Sequence, residues 1–126
     1  MRRYVLLAAV TLTLACDSDR TRVCTEIGCA NDLTVEIQNA PPGPITVQAM
    51  PVATPIGAQT AACPGETGCT NTVYFRDFAP VHVHLTVTTT AGTRRWDVRP
   101  SFLTSQPNGP GCPEICRYGT VRLTWE

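Results

Sequence analysis

The sequence predicts an all-β fold, an antiparallel β-sandwich of about seven strands tied by three disulfides. Short segments alternate apolar and polar residues with period two, and proline- and glycine-rich turns separate them. Six cysteines beyond the N-terminal segment come as close pairs along the chain. No stretch carries the roughly 3.6-residue apolar spacing of an amphipathic helix. A small β-barrel fits the same alternation, because period two sets the face of a strand and not whether the sheet closes on itself.

Leu33-Thr-Val-Glu-Ile-Gln38 is the first strand, with Leu33, Val35 and Ile37 on one face and Thr34, Glu36 and Gln38 on the other. Ala40-Pro-Pro-Gly-Pro44 makes a turn, and Ile45-Thr-Val-Gln-Ala49 repeats the alternation. Pro51 and Pro55 interrupt the next stretch, so a strand before Cys63 belongs at a sheet edge. Cys63-Pro-Gly-Glu-Thr-Gly-Cys69 reads as a tight loop, and a strand runs from about Thr70 to Arg76. The longest extended signal is Val81–Thr89, with Val81, Val83, Leu85 and Val87 inward and His82, His84, Thr86 and Thr88 outward. Ala91-Gly92 punctuates it, and Thr93–Val98 returns with Trp96 and Val98 facing the core. After the irregular Pro107-Asn-Gly-Pro-Gly111, a last strand from about Arg117 to Trp125 turns Val121, Leu123 and Trp125 inward.

The first sixteen residues have a different character. Arg2 and Arg3 precede an uncharged run, Tyr4 to Ala15, that ends on a small residue followed at once by Cys16. Those 12 residues are too few to span a bilayer as a helix, which takes about 20. The layout is that of a bacterial lipoprotein signal, cleaved after residue 15 and leaving Cys16 to carry a diacylglycerol thioether. Thr13 stands where such signals more often carry leucine. An ordinary secretory signal with Cys16 as a plain thiol is the alternative. Residues 1–15 are then the signal, 16–30 the lipidated N-terminus and tether, and 31–126 the sandwich. Several acyl chains hold a protein at a membrane where one chain is marginal.

Lipidation also accounts for the odd cysteine count. With Cys16 modified, Cys24, Cys29, Cys63, Cys69, Cys112 and Cys116 remain, and an even number in an exported chain reads as disulfides. None of the close pairs has the two-residue gap of a zinc knuckle or a redox motif. Removing residues 1–15 from the 126 leaves 111, one domain's length. Two of the ten arginines leave with the signal and all ten acidic residues stay, so the mature chain carries −2. There is no lysine. That balance argues against a nucleic-acid partner and supplies no polybasic patch for anionic lipid.

Cys24-Thr-Glu-Ile-Gly-Cys-Ala-Asn-Asp-Leu-Thr-Val35 and Gln106-Pro-Asn-Gly-Pro-Gly-Cys-Pro-Glu-Ile-Cys-Arg117 resemble paired signatures of small cysteine-rich lipoproteins from myxobacteria and related bacteria. The resemblance covers the two ends of the domain. Ala30-Asn-Asp32 departs from the more glycine-rich turn expected there. It implies an immunoglobulin-like sandwich behind a lipidated cysteine, and no activity. In such a sandwich the first and last strands commonly run parallel as neighbours, bringing Cys24 and Cys29 to the end that holds Cys112 and Cys116. This favours a local Cys63–Cys69 bridge and two cross-links between the chain's ends. Local Cys24–Cys29 and Cys112–Cys116 bridges are the competing arrangement.

His82 and His84 are the only histidines and point the same way on a strand. Two imidazoles at that spacing can approach one Cu(II) or Zn(II) if a neighbouring strand adds a donor, with Asp77, Asp97 and Glu36 as candidates. The simpler reading is a solvated polar face among threonines. Ser18, Ser101 and Ser105 lack the context of a nucleophile elbow, and no phosphate-cradling glycine loop is present. Trp96 and Trp125 fall in phase with core residues, and Arg95, Asp97 and Arg99 make a mixed-charge outer face.

The expected function is a non-enzymatic structural or protein-interaction module of the cell envelope, held by an N-terminal lipid and needing no cofactor. Its partner is another envelope protein or a cell-wall component. The loop Pro107, Asn108, Gly109, Pro110 and Gly111 is the candidate contact region, or else a spacer that positions Cys112. Metal or small-ligand binding through His82 and His84 is the alternative.

Overall fold

The alternating segments fold into eight strands in a computed structural model that describes Cys24, residues 26–65 and residues 70–126. They are β1 (Asp32–Gln38), β2 (Ile45–Pro51), β3 (Gln59–Cys63), β4 (Thr72–Arg76), β5 (Val83–Thr89), β6 (Gly92–Val98), β7 (Leu103–Ser105) and β8 (Cys116–Thr124). A single 3-10 turn, Pro55–Gly57, is the only helical element among the described residues. One sheet has the order β4-β1-β8-β7 and the other β3-β2-β5-β6. The signal segment, Cys16 and Cys69 lie outside the described residues.

The alternation decides what lies between the sheets. Leu33, Val35 and Ile37 of β1 interleave with Val73 and Phe75 of β4 and Val121 and Leu123 of β8. Against them pack Ile45, Val47 and Ala49 of β2 and Val83, Leu85 and Val87 of β5. The completely buried valines and leucines each contribute about 1.5–3 kcal/mol of transfer free energy, less what the unfolded chain already buries. Trp96 and Trp125 are half-buried at the rim of this core, their ring centroids 6.0 Å apart, with the Arg94 guanidinium over Trp125. They pack as their phase predicts, without being enclosed.

β1 and β8 pair in parallel from Asp32↔Tyr118 to Gln38↔Thr124, while the other pairs are antiparallel. That parallel pairing carries the segments that lead into β1 and β8 to one end of the sandwich. There Cys24 is bonded to Cys112 and Cys29 to Cys116. The cross-linked arrangement holds, and the local Cys24–Cys29 and Cys112–Cys116 bridges are excluded. The described part of the tether is therefore bound to the body.

Three details differ from the sequence expectation. Val81 is 63% exposed, because β5 begins only at Val83 and the core-facing phase starts there. β2 runs on to Pro51, which ends the strand opposite Val83. β7 is a short edge strand with no signal in the sequence, since Leu103 and Thr104 are exposed and three residues carry no visible period. β3 does lie at an edge, as its flanking prolines require.

Candidate functional site

The histidines stand on the outer face of the β3-β2-β5-β6 sheet. The Ala91-Gly92 turn closes a hairpin whose register places His84 opposite Asp97 and Thr86 opposite Arg95. His82 lies just before β5, its carbonyl accepting a bond from Val52 N at 3.1 Å, and two residues of extended chain return its side chain to the side of His84. Of the three acidic candidates, the fold brings Asp97 to the histidines. Glu36 is on the opposite sheet, where its carboxylate accepts from Arg122 Nε at 2.8 Å. Asp77 occupies the turn after β4.

Asp97 joins the two imidazoles. His82 Nε2 donates to Oδ1, and His84 Nδ1 stands 3.2 Å from Oδ2. The ring centroids are 5.7 Å apart. The bond from His82 lowers the Asp97 pKa below the ordinary carboxylate value; the charges of His82, His84 and Arg99 add to this, and desolvation opposes it. The His82 side chain is 20% exposed, against 51% for His84 and 60% for Asp97. Beside them runs an open groove of about 510 Å³ lined by Gln48, Met50, His84, Thr86, Arg95, Trp96 and Asp97. Gln48 and Met50 come from β2 and had no sequence signal, because only the β2–β5 register makes them neighbours of Thr86 and His84.

Chemically, this is a carboxylate shared by two imidazoles beside a polar groove. It can hold a proton and orient both rings. The ring nitrogens that face Asp97 are engaged by it, so chelation of one ion by all three groups would require Asp97 to turn outward. No group of three or more His, Cys, Asp or Glu among the described residues is arranged to hold a metal ion.

Residues Pro107–Gly111 lie at the disulfide end. Gly109 N bonds to Gln106 O at 3.0 Å and Cys112 N to Gly109 O at 3.3 Å, folding the loop back on itself. The Asn108 side chain bonds both polar backbone groups of Ile27. The loop thus clasps the N-terminal segment and leads into Cys112, which is bonded to Cys24.

No family model, curated protein or solved structure matches the chain. No helix among the described residues is long and apolar enough to cross a membrane.

Proposed function

We propose that this protein is a lipid-anchored, non-enzymatic module of a bacterial cell envelope that presents a rigid sandwich to another envelope protein or a cell-wall component. Cys16 carries the lipid after cleavage of residues 1–15, and membership of the small cysteine-rich lipoproteins that the chain resembles belongs to the same proposal. The observation that carries the reading is the pair of long-range disulfides, Cys24–Cys112 and Cys29–Cys116. Such bridges persist in an oxidising compartment outside the cytoplasm. They also anchor the chain eight residues after Cys16, which holds the disulfide end within about 28 Å of the lipid. The opposite end, with the turns around Pro42 and Thr90, then points away from the membrane.

The remaining pair, Cys63–Cys69, completes three disulfides in this reading; Cys63 is buried and disulfide-bonded. Two facing sheets with a parallel first–last pairing support an immunoglobulin-like architecture in the broad sense. The strand order differs from the constant-type domain, since β3 stays beside β2 where that domain moves its third strand to the other sheet.

Intact mass of membrane-extracted protein tests the anchor. The expected product starts at Cys16 with added acyl mass, and Cys16→Ala releases the protein from the membrane. An unmodified Cys16 or an intact N-terminus overturns the anchor.

A second reading is favoured by one observation, the convergence of Asp97 on His82 and His84. In it the pair binds Cu(II) or Zn(II), with Asp97 turning outward from its bonds to the rings to serve as third donor. Calorimetric titration slightly above neutral pH, with and without His82→Ala/His84→Ala, tests it. Tight one-to-one binding abolished by the double substitution supports metal binding; weak binding that survives it returns the histidines to an exposed polar face.

A further inference from the structure

The outer face of the other sheet holds a cluster that no sequence motif announces. β1 lies between β4 and β8, so Asp32 has Arg76 as its neighbour on one side and Tyr118 on the other. One pleat further on, Thr34 stands between Tyr74 and Thr120. These side chains share one face across two strand spacings, about 10 Å. Together Asp32, Thr34, Tyr74, Arg76 and Tyr118 line an open depression of about 530 Å³, a volume within the usual range of small-ligand sites, roughly 300–1,000 Å³.

Two properties set this face apart from an ordinary solvated sheet. Tyr74 is 69% exposed and Tyr118 46% exposed, so both tyrosines that flank β1 are accessible from solvent. Between them, Asp32 Oδ1 is excluded from solvent and has no hydrogen-bond partner among the described residues. Buried polar atoms are ordinarily bonded, so a covered carboxylate oxygen without a donor is a costly arrangement that a turn of the Asp32 side chain toward a ligand's hydroxyl would relieve.

We propose that this face binds a neutral glycan, with sugar rings stacked on Tyr74 and Tyr118 and hydroxyls bonded to Asp32 and Arg76. The chemistry selects the class. An anionic ligand meets the Asp32 carboxylate and a cationic one meets the Arg76 guanidinium. An apolar peptide leaves both polar groups without partners. A sugar offers hydroxyls that donate to Asp32 and accept from Arg76, and its C–H faces cover tyrosine rings whose phenols stay wet. This names the cell-wall component of the proposed envelope module; it rests on that reading for where the ligand is met, while binding itself is independent of the anchor.

The test titrates the full chain, solubilised in detergent, with chitotetraose, cellotetraose and xylotetraose by calorimetry, with oligogalacturonate as the anionic control. Saturable binding of at least one neutral sugar is expected. Tyr74→Ala and Tyr118→Ala should each weaken it about tenfold, and Asp32→Asn should weaken it with the far-UV circular dichroism unchanged. Tyr74 is exposed enough for its substitution to leave the fold intact, so that variant alone decides if the others fail to fold. Absence of saturable binding to all three neutral sugars, binding unaffected by Tyr74→Ala, or preference for oligogalacturonate overturns the proposal. Failure here leaves acylation of Cys16 and membrane release untouched, so the two readings fall separately.

Discussion

Asn108 grips Ile27 with both ends of its amide: Oδ1 accepts from Ile27 N at 2.9 Å, and Nδ2 donates to Ile27 O at 3.1 Å. The partners are 81 residues apart in sequence, and the amide copies one rung of a β ladder. The clasp therefore ties Ile27, outside the strands, to the disulfide end of the sandwich.

Asn108→Ala should cost about 1 kcal/mol, since the released Ile27 groups sit where water can replace the lost bonds. Hydrogen exchange gives the sharper readout. The Ile27 amide should lose protection while β1 and β8 amides keep theirs, and unchanged protection at Ile27 would contradict the clasp.

The two cross-links should not be additive. Each spans nearly the whole domain, with separations of 88 and 87 residues, and closing one such loop stabilises by about 4–5 kcal/mol in the chain-entropy model. Once one bridge is closed, the second closes only the small ring between neighbouring cysteines, for about 2–3 kcal/mol. Cys24→Ala/Cys112→Ala should therefore cost about 2–3 kcal/mol in urea unfolding. Removal of both bridges should cost about 6–8 kcal/mol in total, and equal, additive losses would refute the shared-loop account.

Asp97 sets a pH dependence with a definite sign. Its pKa is lowered in the folded state, chiefly by the His82 bond. Its contribution to stability is complete above the unfolded carboxylate value, about 3.9, and is lost as pH falls through the lower folded value. The wild-type chain should lose stability relative to Asp97→Asn as pH falls through that range. A carboxyl titration followed by NMR should place the Asp97 midpoint below about 3.9; a midpoint above it would contradict the pairing.

Gly119 is fixed by space. It pairs with Leu33 on the core-facing side of β8, and a Cβ there would lie 2.6 Å from the Ser101 carbonyl oxygen and 3.0 Å from the Phe102 ring. The ring can give way, but the carbonyl belongs to the backbone leading into β7. Gly119→Ala should destabilise by about 1–3 kcal/mol, read as a lower urea midpoint. Gly92→Ala, with nothing within 4 Å but a φ of 127°, should show strain of a different origin.

The faces of most strands were legible from alternation alone. Leu33, Val35 and Ile37, then Val83, Leu85 and Val87, then Val121 and Leu123 are core residues because successive side chains of extended backbone point to opposite sides. The His84–Asp97 pairing was partly legible as well, since a tight turn at Ala91-Gly92 sets the register of a hairpin locally. Strand neighbours distant in sequence were not. Nothing local in Asp32, Tyr74 or Tyr118 says that β1 enters between β4 and β8, and without that order the three residues belong to unrelated strands. The same limit applies to β7 and to the exposure of Val81, because the first residue of a strand is set by which partner backbone reaches it. Cysteine parity likewise pointed to bridges, while the partners were decided by the parallel β1–β8 pairing. Side-chain period is a property of the chain itself; which strands lie side by side depends on long-range backbone hydrogen bonds and core packing that exist only once the two sheets have closed on each other.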